Sequence, residues 1–230
     1  MKQSPDAVML FAAGFGTRMA PLTDHCPKPL IPVAGKPLID HALALIKATN
    51  PARIVANTHY LPDQMADHLR PLGVSLSPEQ PEILDTGGGL RAALPQLGNG
   101  PVFTLNPDAI WAGPNPLTLL RKAWKPDQMD GLLVCVPIAQ TVGRIGSGDF
   151  DVNESGRISR GADFVYGGAQ IVKTDELHDI PENSFSLNVL WDRMLQDGKL
   201  FALRYPGRWC DIGHPAGIGL AEDLLAQSDV

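Results

Sequence analysis

The sequence predicts an α/β fold with a mixed, mostly parallel, Rossmann-like sheet flanked by helices, and a small additional β-sheet. Short apolar runs typical of buried strands alternate with segments whose apolar residues recur at helical spacing. This alternation is typical of βαβ units, in which helices cover both faces of a parallel sheet. With 230 residues and 44% hydrophobic composition, the chain is long and apolar enough to bury a sizeable core.

Most of the alternation lies before residue 140. The apolar run 7–11 is the first predicted strand, and a helix follows Pro37, a residue suited to a first helical position. Five residues give this helix one apolar face: Leu38, Ile39, Ala42, Leu43 and Ile46. The other elements predicted in this part are a brief extended piece at 31–33, strands at 53–57, 74–76, 101–106 and 131–137, and helices at 62–69, 88–94 and 117–124.

The pattern changes at about residue 143. Alternating residues on both sides of the turn 154–156 predict a β-hairpin over 148–159. The elements predicted after it are a strand at 164–173, a helix at 184–195, short strands at 200–205 and 209–212, and a closing helix at 215–226. No break in composition separates the two parts, so we predict one domain, 1–230, with halves at about 1–140 and about 141–230.

Composition excludes several classes of protein. The net charge of −6 argues against a general nucleic-acid binder, which would usually carry a basic face. Three distant cysteines (26, 135 and 210) without a CxxC pair predict reduced thiols and no structural zinc site. The N-terminal apolar run is too short to span a bilayer. We therefore expect a cytoplasmic protein without nucleic-acid or membrane partners, as a monomer or small homo-oligomer.

The loop after the first strand carries the main chemical signal. It runs through small residues, 12–17, to Arg18, and Lys28 follows between two prolines. Glycines let backbone N–H groups approach a ligand closely, and arginine and lysine supply charge suited to phosphate. Ligands of such sheets bind at the carboxyl ends of the strands, where both this loop and residues 106–108 lie. The pattern predicts a loop that wraps a nucleoside triphosphate.

Three other interpretations of this loop fit the sequence less well. A Rossmann fingerprint needs a third small residue where Met19 stands and an acid where the second strand ends in Asn57. A P-loop needs Gly-Lys-Ser/Thr, which is absent. A glycine turn without chemical importance does not explain why Arg18 and Lys28 stand beside prolines.

The loop and its surroundings resemble the signature of the sugar-1-phosphate nucleotidylyltransferases, and the resemblance extends through nearly the whole chain. Its main blocks are Ala12–Thr23 (AAGFGTRMAPLT) and Pro27–Leu38 (PKPLIPVAGKPL). The other segments that carry it are Leu84–Gly89 (LDTGGG), Asn106–Asp108 (NPD), Gly148–Phe150 (GDF), Tyr166–Gly168 (YGG), Phe185–Leu187 (FSL) and Trp209–Pro215 (WCDIGHP). The family's nucleotide-diphospho-sugar transferase fold agrees with the α/β prediction.

The resemblance implies an in-line attack by a phosphate oxygen on the α-phosphate of a nucleotide, with pyrophosphate leaving. Because two anions must meet, charge neutralisation should dominate catalysis. Arg18 and Lys28 are implied as catalytic, with Arg18 on the triphosphate and Lys28 near the α-phosphate. Asp108 and Asp211 are implied as ligands of Mg²⁺, a cation that prefers carboxylate and phosphate oxygens.

The remaining implied contacts divide between the two halves. The residues implied in nucleotide binding are Ala13, Gly14, Gly16, Thr17 and Gly88. The residues implied in sugar-phosphate binding are Asp151, Asn153 and Gly168. Glu79 lies before the LDTGGG segment and could contact the base edge, although a solvated loop acid is the simpler interpretation.

The short chain and this set of motifs most resemble the members that join UTP to N-acetylmuramate 1-phosphate. The alternatives are guanylyl transfer to mannose 1-phosphate, a non-catalytic sugar-nucleotide-binding regulatory protein, and a cytidylyl- or molybdopterin-type transferase, against which the WCDIGHP segment argues.

The chain also departs from the family pattern. Pro107, Asp85 and His214 stand where relatives have Gly, Glu and Thr. The Glu-Lys-Pro motif whose lysine grips the sugar phosphate is missing, and Arg160 or Arg157 is a candidate replacement.

Overall fold

A computed structural model describes residues 4–228, so the ends of the predicted 1–230 domain, 1–3 and 229–230, lie outside the described residues. The strands are β1 Ala7–Phe11, β2 Pro32–Val33, β3 Lys36–Pro37, β4 Arg53–Thr58, β5 Ser75–Pro78, β6 Val102–Leu105, β7 Ala109–Ala112, β8 Gly131–Pro137, β9 Thr141–Val142, β10 Phe150–Val152, β11 Ile158–Arg160, β12 Phe164–Val172, β13 Leu200–Arg204 and β14 Arg208–Asp211. The helices are α1 Leu38–Lys47, α2 Pro62–Leu69, α3 Asp85–Leu97, α4 Pro116–Ala123, α5 Leu187–Gln196 and α6 Ala216–Ser228.

One nine-stranded sheet carries both halves of the chain. Its main path is β11-β10-β12-β6-β1-β4-β5, while β8 pairs with β12 and β13 pairs with β8. The strands β6, β1, β4 and β5 are parallel to one another, and β12 runs antiparallel to β6 and β8. The predicted mixed α/β sheet is confirmed. The prediction of a single domain stays a prediction, which the shared sheet supports.

Strand β1 shows why helices cover both faces of the sheet. Val8 and Leu10 pack in one core cluster with residues of α1, α2 and α4. Ala7 and Met9 point to the opposite face and pack with residues of α3 and α5. Successive strand side chains alternate between faces, so a run that is apolar throughout is the pattern of a strand buried on both sides.

The predicted apolar face of α1 is confirmed, since all five of its residues are buried. Pro37 instead precedes the helix as its N-cap. Helix α3 begins at Asp85, three residues before the predicted start. Glycine disfavours helix interiors, but here the N–H groups of Gly87 and Gly88 donate to the carbonyl of Phe185 at 2.8 and 3.1 Å. A distant loop thus fixes a helix that local propensity opposes.

The small additional sheet is confirmed, but its strands differ from those expected in the second half. It has the order β7-β14-β9, and the hairpin β10–β11 joins the main sheet through β12. Strand β12 is nine residues long and largely buried, so it fits inside the large sheet. Strands β7 and β9, with four and two residues, are too short to produce a recognisable alternation and were not predicted.

No helix within residues 4–228 is both long enough and apolar enough to cross a membrane.

Candidate active site

The main sheet brings the first loop beside the segment that follows β6. Strands β1 and β6 are parallel neighbours in a register that pairs Leu10 with Leu105, so their carboxyl ends open side by side. The small sheet adds a third segment, because β14 pairs with β7 with Asp211 opposite Ala109. The N–H of Ile212 donates to the carbonyl of Asp108 at 3.0 Å. Two acids from remote parts of the chain therefore meet beside the loop.

The loop needs glycine at position 16. Gly16 has φ of +64°, a left-handed conformation that suits glycine, and its carbonyl accepts from Met19 N at 2.8 Å and Thr23 Oγ1 at 3.1 Å. A Cβ at this position would lie 2.8 Å from the Cβ of Lys28. Glycine thus allows the stem of Lys28 to cross the loop at close range.

Charged groups of both signs converge at this point. Lys28 Nζ lies 2.9 Å from Asp108 Oδ2, and 12% of the lysine side chain is exposed against 38% of the aspartate's. Gly213 marks the approach of two further groups. Arg18 Nη1 and both carboxylate oxygens of Asp211 lie 3.4 Å from the position that a Cβ of Gly213 would take.

Electrostatics couple the same groups. Burial raises the pKa of the Asp211 carboxyl above its ordinary value, and the nearby Asp108 carboxylate raises that pKa further. The positive charges of Lys28, Arg144 and Arg18 oppose the shift. Two carboxylates near enough for one to raise the pKa of the other are a suitable pair for a divalent cation.

The carboxylates of Asp108 and Asp211 suit a magnesium ion that also binds substrate and water better than they suit a metal ion bound by protein side chains alone. Within residues 4–228 no group of three or more His, Cys, Asp or Glu side chains is arranged to hold a metal ion. Magnesium usually takes one or two carboxylates together with waters and substrate phosphates. Asp108 and Asp211 would supply that protein share and leave the remaining positions to phosphate and water.

A cavity of about 330 Å³ opens over this cluster. The predicted residues that line it are Ala13, Gly14, Gly16, Thr17, Arg18, Lys28 and Asp108. Lining residues that the sequence did not suggest as ligand contacts include Asn57, Ile83, Thr86, Asn106 and Gly213. The roles predicted for these side chains stay predictions, but the structure gathers seven of them around one space.

Gly88 lies away from this space, unlike the other residues predicted to bind nucleotide. It is buried in α3, and the backbone carbonyl of Asn183 occupies the place where a Cβ would be. The missing side chain therefore makes room for a protein loop. The sequence could not show this contact, because Asn183 is far from Gly88 along the chain.

Gly88→Ala is expected to lower the free energy of unfolding by about 1–2 kcal/mol, because overpacking costs about 1–3 kcal/mol and alanine returns up to about 1 kcal/mol of helix propensity. Urea unfolding measures the change. Gly219→Ala is the matched control, since Gly219 is an exposed residue of α6 with nothing within 4 Å of its Cβ position. A Gly88→Ala variant of unchanged stability but raised KM for the nucleotide would contradict the packing role.

Glu79 is a buried acid, so the solvated interpretation is wrong. Only 1% of Glu79 is exposed, and its Oε1 and Oε2 accept from Asn57 Nδ2 and Leu84 N, both at 2.7 Å. Asn57 Oδ1 accepts in turn from Ala12 N at 2.7 Å. Gly89 leaves space for this network, because its Cβ would collide with Glu79 Oε1. The network ties the first loop to the segment 79–84, and Ala12, Asn57 and Glu79 all line the first cavity.

A second cavity adjoins the first. Four residues line both cavities: Phe11, Asp85, Thr86 and Asn106. The second is also lined by Arg144, Asp149, Phe150, Arg160, Tyr166, Ser186, Leu187, Asn188 and Trp191. A ligand group in one cavity can therefore reach a ligand group in the other.

The three residues predicted to bind the sugar phosphate line neither cavity. Asp151 Oδ1 accepts from Ala162 N at 2.9 Å, and Asn153 Oδ1 accepts from Arg157 N at 3.0 Å, so both side chains hold the hairpin together. Gly168 has φ of +87°, and its carbonyl accepts from Asn106 N at 2.8 Å. It supports a lining residue from behind.

The arginines near the second cavity differ in whether they line it. Arg160 lines it, whereas Arg157 donates to the carbonyl of Gly198 and lies over the ring of Phe201. Arg144 also lines the cavity, although no sequence motif indicated a role for it. It stands in an irregular glycine-containing segment outside the motifs.

Known proteins match this chain along most of its length. A model of the MobA-like NTP transferase domain matches residues 8–147. The chain is also 37% identical to the N-acetylmuramate alpha-1-phosphate uridylyltransferase of Caulobacter vibrioides, over an alignment that covers 99% of this chain and 100% of that protein. The chain belongs to the MobA-like NTP transferase family. This NTP transferase is thereby confirmed as a relative of the sugar-1-phosphate nucleotidylyltransferases.

Two further comparisons bear on its fold and substrate. A probable mannose-1-phosphate guanylyltransferase of Oryza sativa subsp. japonica is 28% identical over 90% of this chain, but the match spans only 61% of that longer protein. HddC from Yersinia pseudotuberculosis, solved with GMP-PN, superposes with a TM-score of 0.76 at 21% identity, covering 95% of this chain and 99% of that one. This structure supports the fold alone.

Proposed function

We propose that this NTP transferase joins UTP to N-acetylmuramate 1-phosphate and releases pyrophosphate. The observation that carries the proposal is that Lys28, Arg18 and Asp108 line the first cavity, with Asp211 beside them, and that this cavity shares lining residues with the second. Asn106 lines both cavities, and Asp108 lies two residues beyond it. Two anionic substrates could meet there with their charges neutralised.

In the proposed reaction, an oxygen of the sugar phosphate attacks the α-phosphorus of UTP. The new bond is phosphorus–oxygen, and the bond from the α-phosphorus to the oxygen that bridges to the β-phosphate breaks. The electron pair leaves with pyrophosphate, and the remaining product is a UDP-sugar. No proton transfer is required, because the attacking and leaving groups are both phosphate oxygens.

Positively charged side chains perform most of this work. Arg18, beside the glycine loop, would bind the triphosphate and stabilise the charge that develops on pyrophosphate. Lys28, held by Asp108 at 2.9 Å, would contact the α-phosphate. Asp108 and Asp211 would hold Mg²⁺, which supplies Lewis-acid polarisation of phosphoryl oxygens when bound.

The substrate assignment rests on similarity along the whole chain. The Caulobacter vibrioides uridylyltransferase matches end to end, whereas the Oryza sativa guanylyltransferase matches over 61% of its length and at lower identity. Guanylyl transfer to mannose 1-phosphate is therefore the second candidate.

We infer that the reaction takes place in the cytoplasm. Cys26, Cys135 and Cys210 are all free thiols, which is the usual state in a reducing compartment.

Pyrophosphate release tests the proposal. Purified protein is assayed with UTP, GTP, CTP and dTTP against the 1-phosphates of N-acetylmuramate, N-acetylglucosamine, glucose and mannose. We expect the highest kcat/KM with UTP and N-acetylmuramate 1-phosphate. Highest turnover with GTP and mannose 1-phosphate would favour the second candidate. Nucleotide binding without any pyrophosphate release would contradict an enzymatic role.

Removal of divalent metal is expected to lower turnover by about 100-fold or more, since a metal ion contributes several kcal/mol of charge stabilisation in such transfers. The panel is repeated after EDTA treatment and again after Mg²⁺ is restored. Full activity in EDTA would remove Mg²⁺ from the proposal and leave the transfer reaction intact.

A further inference from the structure

Two arginines from different segments line the second cavity. Arg144 Nη2 donates to the carbonyl of Ser147 at 3.2 Å and to Asp149 Oδ1 at 3.4 Å. Arg160 Nη2 donates to Asp192 Oδ1 at 2.6 Å, and its guanidinium lies 5.0 Å from the centre of the Phe150 ring. An arginine carries five N–H donors, so each keeps donors for a ligand.

Arg144 has an additional unsatisfied group. Its Nε is buried and has no hydrogen-bond partner within the described part of the chain. A buried donor left without a partner costs about 1–3 kcal/mol, so the protein does not fully satisfy the Arg144 guanidinium.

The acids of this cavity are already engaged. Asp149 Oδ2 accepts from Tyr166 N at 2.9 Å, in addition to the contact of its Oδ1 with Arg144. Asp85 Oδ1 accepts from Thr86 N at 2.5 Å. Asp149 and Asp192 each contact only Nη2 of their arginine, so the other guanidinium nitrogens remain available to an anion.

The two arginines occupy different positions relative to the reacting groups. Strand β9 pairs with β14 in a register that places Val142 beside Cys210, and the carbonyl of Asp211 lies 2.7 Å from the Cβ position of Gly143. Arg144 is the next residue, so it stands on the side of the acid pair. In the hairpin, Arg160 lies opposite Phe150. The Phe150 ring contacts the Trp191 ring, with centroids 6.0 Å apart. It stands on the aromatic side.

The proposed acceptor also has two anionic groups. Like every sugar 1-phosphate it carries a phosphate, and N-acetylmuramate carries in addition the carboxylate of its lactyl ether. N-acetylglucosamine 1-phosphate is the same sugar without that carboxylate. Arginine pairs well with both kinds of anion because its planar donors match their oxygens.

We propose that Arg144 binds the phosphate of the acceptor and that Arg160 binds its lactyl carboxylate. This assignment rests on the proposed function. It makes Arg160 a determinant of specificity and gives Arg144 the task of the lysine that relatives carry in their Glu-Lys-Pro motif.

Arg160→Gln and Arg144→Gln test the two roles through different readouts. We measure kcat/KM for N-acetylmuramate 1-phosphate and for N-acetylglucosamine 1-phosphate. If the latter is not turned over, its Ki as a competitor of the former takes its place. Arg160→Gln should lower the preference for the muramate by about tenfold or more, as expected for loss of a charge-assisted hydrogen bond. Arg144→Gln should lower kcat/KM for both acceptors by a similar factor, so that the preference for the muramate changes by no more than about threefold.

Arg157→Gln is the matched control, because this arginine of the same hairpin contacts Gly198 and Phe201 outside both cavities. Its kcat/KM for each of the two acceptors should equal that of the wild-type protein. Arg160→Lys should keep part of the preference, and thermal unfolding confirms that each variant is folded. If folded Arg160→Gln keeps the wild-type preference, Arg160 does not bind the lactyl carboxylate. If folded Arg144→Gln keeps the wild-type kcat/KM for both acceptors, Arg144 does not bind the phosphate. Failure of the wild-type protein to use N-acetylmuramate 1-phosphate would instead refute the proposed function.

Discussion

Asp108→Asn is expected to lower kcat by about 100- to 1,000-fold, the range found when one group that stabilises transition-state charge is removed. The amide keeps the shape of the side chain but loses the charge that would hold the metal and pair with Lys28 Nζ at 2.9 Å. The pair is partly exposed, so its loss should change stability by no more than about 1 kcal/mol. Pyrophosphate release at saturating substrate and Mg²⁺ measures kcat, and thermal unfolding measures stability.

Asp127→Asn is the matched control for this substitution. Asp127 is exposed and lies outside both cavities, so its variant should keep wild-type kcat. Retention of kcat by folded Asp108→Asn would remove Asp108 from the metal site. A large fall in melting temperature would show instead that Asp108 mainly serves the fold.

The site residues that sequence reasoning located are those in continuous motifs. Gly16 and Lys28 stand in two neighbouring blocks, and the approach of the lysine to the loop follows from the left-handed turn at the glycine. The position of Asp108 also follows from the sequence, because a residue that follows closely after a buried parallel strand lies at the ligand edge of the sheet. Local pattern was sufficient in each case.

The other features depend on contacts between distant parts of the chain. Gly88 meets a carbonyl 95 residues further on, and the space it leaves is filled by that loop. Arg144 reaches the second cavity because β9 pairs with β14. Only two residues of each strand take part in this pairing. Such short pairings carry no periodic signal. Glu79 is buried because Asn57 and Leu84 satisfy it, a fact that its own neighbours in sequence do not reveal.

The network around Glu79 has a fixed direction. It begins at the N–H of Ala12 and ends at the N–H of Leu84, and both ends are backbone donors. Asn57 accepts from Ala12 N with its Oδ1 and donates to residue 79 with its Nδ2. Residue 79 must therefore accept two hydrogen bonds, one from Asn57 and one from Leu84 N. A carboxylate does so, whereas an amide always presents one donor.

Glu79→Gln is therefore expected to lower the free energy of unfolding by about 2–4 kcal/mol, since one buried charge-assisted hydrogen bond is lost and its donor remains unsatisfied. Rotation of the Asn57 amide cannot repair the defect, because it would turn the NH₂ group toward Ala12 N. Asn57→Asp alone should also destabilise, by bringing two carboxylates into contact. Urea unfolding at constant m-value measures each change.

The double variant Asn57→Asp/Glu79→Gln should recover most of the lost stability. Its aspartate can accept from Ala12 N and from the new amide, and its glutamine oxygen can accept from Leu84 N, so every donor again has an acceptor. The coupling between the two sites should then be about 2 kcal/mol or more, whereas independent sites add to within about 0.5 kcal/mol. Additive losses would show that burial of a carboxylate at position 79 matters in itself. Recovery would show that the network joins the first loop to the segment 79–84 only when the donors and acceptors at positions 57 and 79 are complementary.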